Sequence, residues 1–400
     1  MKMNNTIRLK TIITASAVLL STIANAQDGI GEVLSKIESN NLEMKALLKQ
    51  NEAEKYGYKS ERALEDPELG FAYLWSSPDE GPRQDYSISQ TIDLATLFGS
   101  KMKLAQEKGK MDDIAYDVAR QKILLEAKML CINLIYCNAL ARELELRYKH
   151  AEEVSQAYEV MKKEGAADRS DLNQVRLALL SLESEIRKNN IERDGILMEL
   201  SRLNGGSPIS FDQRDFPEHK LFPSDFDTWY EEQASDSPTL AYVKQNVVVM
   251  EQELRTEKIA NAPKITAGYM SEITKSLSFR GLSVGVTVPL WSVRNNVRKA
   301  KAACESAELY QRDAASQYYI QLKRLYVATE GLRSIADDLR QSELVAEESS
   351  ALVEYKQEQG ELSLVEHLME LMIYYDVIDK SLEAERDYQL SLAQLEACLL

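Results

Sequence analysis

The sequence predicts a mainly α-helical protein with a small β part, in which long antiparallel coiled-coil α-hairpins and two β-hairpins occur as a duplicated unit. Three observations predict it. Residues 83–207 and 290–400 contain no proline, two short segments alternate apolar and polar residues, and the chain matches itself at an offset of about 196 residues. Because proline interrupts helices, two long proline-free tracts rich in Ala, Leu, Glu, Gln, Lys and Arg favour long helices over several globular domains.

The duplication is visible at matching landmarks. Pro67 and Pro263 lie 196 residues apart, and Gly165 and Gly360 lie 195 apart. Self-similarity at a fixed interval indicates repeated structural units. The predicted organisation is a first repeat at 27–204 (helix, β-hairpin at about 67–94, long helix at about 96–164, helix at about 168–204), a linker at 205–224, and a second repeat at 225–400 (helix, β-hairpin at about 263–290, long helix at about 292–359, helix at about 362–400).

The first 26 residues have the pattern of a secretory signal peptide. Lys2, Arg8 and Lys10 precede an apolar stretch at 11–23, and the small residues around Asn25 form a cleavage site before Gln27. About 13 apolar residues are too few to span a bilayer as a helix. We expect cleavage after residue 26, and no later segment long and apolar enough to be a transmembrane helix. The expected product is exported: soluble in the periplasm, secreted, or an outer-membrane β-barrel.

The short part of each repeat predicts strands with one apolar face. Residues 85–94 and 282–290 alternate apolar residues at even positions with polar or small residues at odd positions, and 68–75 and 264–271 are predicted as their partners. Four strands cannot close a barrel. Two interpretations therefore remain open. The hairpins form a small sheet that packs its apolar face on the helices of a soluble protein, or several chains pool them into one membrane barrel. Aromatic residues near the strand ends would suit a membrane interface: Tyr73, Trp75, Tyr86, Tyr269 and Trp291.

The helices after each glycine favour coiled coils. A narrow apolar stripe at spacings of three and four, flanked by Glu, Lys and Gln, is typical of such seams. Asn189 and Arg193 are the polar exceptions in the first stripe. The stripes are Leu172, Val175, Leu179, Leu182, Ile186, Ile196, Leu200 and Leu203 in the first repeat, and Leu364, Leu368, Leu371, Tyr375, Ile378 and Leu382 in the second.

Charge and cysteine content exclude some functions. The formal charge of −16 becomes −19 without the signal peptide, so binding to nucleic acid is disfavoured. The four cysteines are expected to be buried thiols, since Cys131 and Cys137 cannot share a metal on one helix face and Cys304 and Cys398 are isolated. His150, His219 and His367 are far apart and no catalytic or metal motif is present, so we expect a non-enzyme without a cofactor or metal.

In this order and duplication, the chain from about residue 31 to 400 resembles the TolC family of outer-membrane channel proteins. Three segments are most similar to the outer-membrane component of heavy-metal efflux systems, of the cobalt-zinc-cadmium or copper type. They are Asp66-Pro67-Glu68-Leu69, Ser89-Gln90-Thr91-Ile92-Asp93-Leu94 and Val288-Pro289-Leu290.

The resemblance implies a homotrimer with a 12-stranded β-barrel in the outer membrane and an α-barrel of 12 helices in the periplasm. It implies that the helix turns dock a periplasmic adaptor protein, which links the duct to an inner-membrane pump, often of the resistance-nodulation-division type. The expected function is passive conduction as the exit duct of a tripartite efflux system. The docking residues would be Gly165, Ala166, Ala167, Gly360, Glu361 and Leu362.

The resemblance also implies two acidic positions at the tunnel tip. Asp171 matches a tip aspartate that helps to hold the closed state, and Glu366 matches an acid that rings the entrance in some members. Met369 stands at the position where a second acidic ring can occur in the family, and Leu362 stands where some members have the basic partner of the aspartate. Carboxylates are also favoured at helix N-termini by the helix dipole alone, so a purely structural role stays open. Two alternative functions remain as well: a periplasmic or surface coiled-coil structural protein, and the outer-membrane component of type I protein secretion.

Overall fold

A computed structural model provides the coordinates. It describes the following ranges: 29–75, 81–163, 169–218, 222–235, 237–288, 293–359, 361–362 and 364–400. The predicted signal peptide at residues 1–26 lies outside them.

The described chain is mostly helical, with one small antiparallel sheet. The fold class predicted from the sequence is confirmed. In chain order the elements are α1 (Gly29–Asn40), α2 (Leu42–Glu61), β1 (Glu68–Leu74), β2 (Arg83–Ile92), α3 (Leu94–Leu97), α4 (Ser100–Lys163), α5 (Arg169–Leu203), α6 (Phe226–Trp229) with a π-helical turn (Tyr230–Ala234), α7 (Pro238–Ala260), β3 (Lys264–Ile273), β4 (Ser278–Thr287), α8 (Val293–Glu358), α9 (Leu364–Leu395) and a 3-10 turn (Glu396–Leu399).

The chain forms two compact units. The first, which we call the helical unit, consists of the described residues within 29–43, 120–229 and 321–400. The second, which we call the sheet unit, contains residues 44–119 and 230–320. Each unit contains residues from both repeats. The long helices α4 and α8 each contribute residues to both units.

In the helical unit, the predicted seams are the packed faces. The stripe residues of α5 are buried or half-buried, and Val154 and Tyr158 of α4 form a buried cluster with Leu172 and Val175 of α5. A second cluster joins Ala336 of α8 to Ala384 and Tyr388 of α9. The core is therefore a set of narrow helix–helix seams, as expected for coiled-coil packing.

The polar exception Asn189 in the first seam has a partner. Its side-chain amide donates to the backbone carbonyl oxygen of Cys137 in α4 at 2.9 Å, and both residues are buried. A buried polar group that is hydrogen-bonded costs little and favours one register over others. Asn189 thus fixes the alignment of α5 against α4.

We expected no segment after residue 26 to be long and apolar enough to cross a membrane as a helix. Judged by length and composition alone, this expectation is wrong. Within the described residues, one helix meets that criterion, α4, which contains an apolar stretch of 18 residues. However, 61% of that stretch is buried inside the protein, in the part that includes Cys131, Ile132 and Ile135. The apolar residues of α4 belong to the core of the helical unit.

In the sheet unit, four strands form one antiparallel sheet in the order β1-β2-β3-β4. The two predicted hairpins are thus neighbours, with β2 paired to β3 over nine residue pairs.

In the same unit, α4 packs on α7 through buried polar residues. The Ser100 and Thr256 hydroxyls lie 2.8 Å apart, and the amide of Gln252 donates to the Ser100 carbonyl oxygen at 3.3 Å.

The end of strand β2 differs from the sequence prediction. The strand stops at Ile92 rather than Leu94, because Asp93 is the N-cap of α3 and accepts a hydrogen bond from the Thr96 backbone N–H at 2.6 Å. Asp93 also pairs with Lys101 at 2.8 Å. An aspartate whose side chain accepts a hydrogen bond from the backbone N–H three residues later favours the start of a helix. At Asp93 this preference outweighs the alternating pattern that favours a strand.

Candidate functional site

The first candidate site is the pair of sheet faces in the sheet unit. The strand registers place Leu69 opposite Ile88, Ile88 opposite Tyr269, and Tyr269 opposite Leu282. Directly opposed residues lie on the same face of an antiparallel sheet. The even-numbered apolar residues of β2 and β4 therefore share one face with odd-numbered apolar residues of β1 and β3. The same face also carries the polar residues Gln84, Gln90, Ser271, Ser278 and Arg280. We call this the apolar face: Leu69, Phe71, Tyr73, Tyr86, Ile88, Ile92, Ile265, Ala267, Tyr269, Ile273, Leu282, Val284 and Val286.

Large side chains of the apolar face are exposed rather than packed on helices. Leu282 is 86% exposed and Leu69 is 76% exposed, and most of their large apolar neighbours are more than a third exposed. The interpretation in which this face packs inward on helices of a soluble monomer is therefore wrong for this chain. A contiguous exposed apolar surface of this kind marks contact with lipid or with another chain.

The opposite sheet face is mainly polar and carries small residues, including Gly70, Ser87, Gly268 and Ser283. Leu74, Met270 and Phe279 are its large apolar residues. Gly268 illustrates the close strand packing. A Cβ there would lie 2.8 Å from the Ile88 carbonyl oxygen, which real side chains do not tolerate. Three charged residues of this face form one paired group, since Arg83 contacts Asp85 at 2.9 Å and Glu272 at 3.1 Å. The face can therefore line water.

The predicted interface aromatics fall at two levels. Tyr73 is the penultimate residue of β1 and Trp75 follows that strand, with ring centroids 5.6 Å apart at the loop end of the sheet. Tyr86 contacts Phe71 at 5.1 Å, and Tyr269 lies in the middle of β3. Trp291 lies outside the described residues. The sheet thus has aromatic residues near the hairpin loop of β1 and further aromatics within its apolar face.

Within the described residues, the outer strands β1 and β4 each pair with one strand only. Their free edges present unpaired backbone N–H and C=O groups, which can be satisfied by another chain. Four strands remain too few to close a barrel within one chain.

The second candidate site is the turn end of the helical hairpins. Gly165, Ala166, Ala167 and Gly360 lie outside the described residues. The Glu361 backbone N–H donates to the Lys356 carbonyl oxygen at 2.9 Å, which closes the end of α8, and Leu362 is half-buried.

The candidate gate acids lie in first helical turns. Glu366 belongs to the first turn of α9 and is exposed, as is Met369 one turn later. Asp171 lies in the first turn of α5, and its side chain is outside what the structure describes. The structure therefore places Glu366 where water can reach it.

Sequence reasoning missed a polar clamp between α4 and α9 in the helical unit. The guanidinium of Arg147 is only 4% exposed and binds both carboxylate oxygens of Asp379, at 2.8 and 2.6 Å. It also donates to the Tyr375 carbonyl oxygen at 3.3 Å and stacks on the Tyr375 ring. The Tyr375 hydroxyl contacts His150 at 3.0 Å. No local signal could reveal this clamp, because Arg147 and Asp379 are 232 residues apart.

The four cysteines are free thiols, and Cys131, Cys137 and Cys304 are buried as predicted. The prediction is wrong for Cys398, which is only partly buried because it lies in the C-terminal 3-10 turn. Burial raises the pKa of Cys131 to about 12 and that of Cys137 to about 11. A thiol held neutral in this way is a poor nucleophile and a poor metal ligand. The cysteines of α4 are therefore core residues.

No family model matches the chain, and no curated protein matches it. Solved structures do. The chain is similar to the CmeC outer-membrane channel of Campylobacter jejuni, with 16% identity, a TM-score of 0.73, and coverage of 93% of this chain and 85% of CmeC. The MtrE outer-membrane channel of Neisseria gonorrhoeae, solved in its open state, gives 15% identity, a TM-score of 0.75, and coverage of 92% and 88%. CusC, described in connection with transmembrane channel formation, gives 14% identity, a TM-score of 0.70, and coverage of 93% and 92%.

These similarities extend over nearly the whole of both chains in each comparison. Because several different channels match at comparable TM-scores, they do not distinguish the heavy-metal subtype predicted from the sequence. The chain has the fold of TolC-like outer-membrane channels.

Proposed function

We propose that the protein is the outer-membrane exit duct of a tripartite efflux system. The observation that carries this proposal is the sheet, which has one exposed apolar face and one polar face rich in small residues. Alternation of apolar and polar faces along every strand is what a membrane barrel requires, with lipid on one side and water on the other. The likeness to outer-membrane channels supports the same conclusion.

The functional form is a homotrimer. One chain supplies four strands with two free edges, so three copies joined edge to edge supply 12 strands and leave no edge exposed. A closed barrel satisfies every backbone hydrogen bond within the bilayer, which an open four-stranded sheet cannot do. The long helices of three chains would continue as a periplasmic tunnel.

The turns of the helical hairpins are the proposed docking site for a periplasmic adaptor protein. The residues are those predicted from the sequence, with Glu361 and Leu362 at the described edge of the second turn. Through the adaptor, the duct would receive substrates from an inner-membrane pump of the resistance-nodulation-division type. The duct itself conducts passively and carries out no chemistry.

Glu366 and Asp171 are proposed as acids of the tunnel entrance. Three copies of an exposed Glu366 around one axis would attract cations and repel one another. Their protonation or pairing would then bias the entrance between closed and open states.

The heavy-metal subtype is proposed only on the three sequence segments around Pro67, Asp93 and Pro289. Type I protein secretion is the second candidate within the same architecture. A coiled-coil structural protein of the periplasm is disfavoured, since it would have no use for a large exposed apolar sheet face.

Membrane fractionation with crosslinking of the native chain tests the proposal. We expect the protein in the outer-membrane fraction and a crosslinked species of three chains. A soluble monomer would rule the proposal out. Co-purification with an adaptor and a pump, together with raised sensitivity of a deletion strain to metals, bile salts or dyes, separates efflux from secretion. Unchanged sensitivity would contradict the efflux role.

A further inference from the structure

In the sheet unit, both long helices begin with a cluster of basic residues. Residues 100–110 of α4 contain four lysines and one acid, and residues 293–301 of α8 contain four basic residues and no acid. The chain as a whole carries a charge of −16. The basic clusters therefore run against the composition of the protein.

These clusters also lie at helix N-termini, where acidic rather than basic residues are preferred. No acidic residue occurs in the first turn of α4 or α8. The N-terminus of a helix carries a partial positive charge, so lysine in the first turn lowers helix stability. Helix formation alone does not account for the basic residues, and an external anion would.

Three of these basic side chains are available to such an anion. Lys101 is already paired with Asp93 at 2.8 Å. In contrast, Lys103, Arg298 and Lys299 are exposed and form no ion pair with any residue in the described ranges. Lys103 and Lys299 lie 196 residues apart, the same offset as Pro67 and Pro263, so each repeat presents one.

A cleft beside the first cluster offers a more enclosed basic site. It has a volume of about 150 Å³, and Arg62, Lys101 and Lys108 line it, with Glu61 as the one acidic lining residue. Arg62 forms no ion pair with the part of the chain that the structure describes. The cleft is large enough for a single phosphate group.

Exposed apolar side chains lie just before and between the first lysines of α4. Leu97 and Phe98 are 62% and 69% exposed, and Met102 is also exposed, between Lys101 and Lys103. Gly99, with φ of 69°, makes the turn that joins α3 to α4. Apolar and aromatic side chains interleaved with basic ones are typical of a segment lying at a membrane surface.

The basic clusters follow the strands at a point where a membrane surface is expected. Strands β2 and β4 end at Ile92 and Thr287, and the clusters start within 10 residues of those ends. At that end of the sheet, Ile265, Val286 and Val288 are exposed apolar residues. Exposed apolar residues therefore continue to the end of the strands, and the basic residues follow in the next segment of the chain.

We infer that Lys103, Arg298 and Lys299, with Arg62 in the cleft, form a collar that binds the phosphate groups of anionic phospholipid headgroups, while Leu97, Phe98 and Met102 enter the same leaflet. The leaflet is the one that faces the helices. This inference rests on the proposed function, because it needs the apolar face of the sheet to lie in a bilayer.

The test uses the full mature protein reconstituted into vesicles of phosphatidylcholine mixed with phosphatidylglycerol, followed by quantification of the lipids that remain bound after extraction. An anionic surface attracts each nearby lysine or arginine by about 1 kcal/mol, which is about a fivefold preference. We expect phosphatidylglycerol to be enriched about fivefold over its bulk fraction at low salt. The enrichment should fall in 1 M salt, where the Debye length is about 3 Å.

The decisive variant is the triple substitution Lys103→Gln, Arg298→Gln and Lys299→Gln, which should remove most of the enrichment. The matched control, Lys122→Gln, Lys188→Gln and Arg340→Gln, removes the same charge from exposed positions of the helical unit and should retain it. Arg62→Gln alone should reduce the enrichment in part. Equal enrichment in the triple variant and wild type, or none in a wild-type protein that floats with the vesicles, would overturn the collar. Failure of the wild type to float with vesicles of any composition would overturn the proposed function as well.

Discussion

Arg147 in α4 and Asp379 in α9 form a two-point ion pair that joins helices from the two repeats. Both guanidinium nitrogens that contact the carboxylate lie within 2.8 Å of it, and the arginine is almost entirely buried. The carboxylate keeps 39% of its surface exposed, so water can reach only one side of the pair.

The first prediction concerns this pair. Asp379→Asn leaves a buried guanidinium without a counter-charge, which in fully buried pairs costs about 3–5 kcal/mol. Because Asp379 is partly exposed, we expect a loss of about 2 kcal/mol in the free energy of unfolding. Chemical denaturation of the detergent-solubilised protein, followed by helical circular dichroism, measures it.

Asp376→Asn is the matched control for that experiment. Asp376 lies one turn before Asp379 and pairs with Lys380 on the exposed surface at 2.5 Å. Exposed pairs contribute about 0–1 kcal/mol, so the control should differ little from wild type. Equal losses for the two substitutions would contradict the structural role of Arg147.

The second prediction concerns the apolar face of the sheet. Leu282→Arg should prevent stable insertion, since arginine on a lipid-facing strand position costs about 2–4 kcal/mol at mid-membrane. Met270→Arg, on the polar face one strand away, is exposed and should be tolerated. The amount of crosslinked oligomer in the outer-membrane fraction reports both. Similar levels for the two variants would mean that the faces are not divided between lipid and water.

The third prediction concerns the tunnel entrance. Glu366→Gln should lower the preference of the channel for cations in planar bilayers, because three carboxylates would be lost from one ring. Glu370→Gln, an exposed acid one turn further along α9, is the control and should have a smaller effect. Unaltered ion selectivity in Glu366→Gln would remove this residue from the entrance.

The fourth prediction concerns the core thiols. Burial raises the pKa of Cys131 to about 12, above the value of about 8.5 expected for an unfolded thiol. A raised folded-state pKa means that the stability contribution is complete below pH 8.5 and is lost as pH rises toward 12. Labelling by a water-soluble maleimide at pH 8 should therefore require denaturant. Rapid labelling of Cys131 in the folded protein would contradict its burial.

The strands and seams could be predicted because their patterns are local. The alternation along 282–287 fixes which residues of β4 share a face, and the heptad stripe of α5 fixes which residues are packed. Asn189, which breaks that stripe, could be recognised as an exception but not explained, since its partner is a backbone carbonyl 52 residues away.

The remaining features depend on contacts between distant segments. The Asp93 cap competes with the strand pattern and ends β2 two residues before the sequence prediction. The pairing of β2 with β3, and hence the single four-stranded sheet, joins segments about 180 residues apart. For the same reason, the Arg147 clamp has no signature in either helix alone.

The most direct test of the central claim is the accessibility of single cysteines placed along β4 in intact outer membranes, in a background without the native cysteines. A membrane-impermeant maleimide should label positions 283, 285 and 287, which face water in the proposed channel, and should leave positions 282, 284 and 286 unlabelled in lipid. Equal labelling of all six positions would contradict a membrane-spanning sheet.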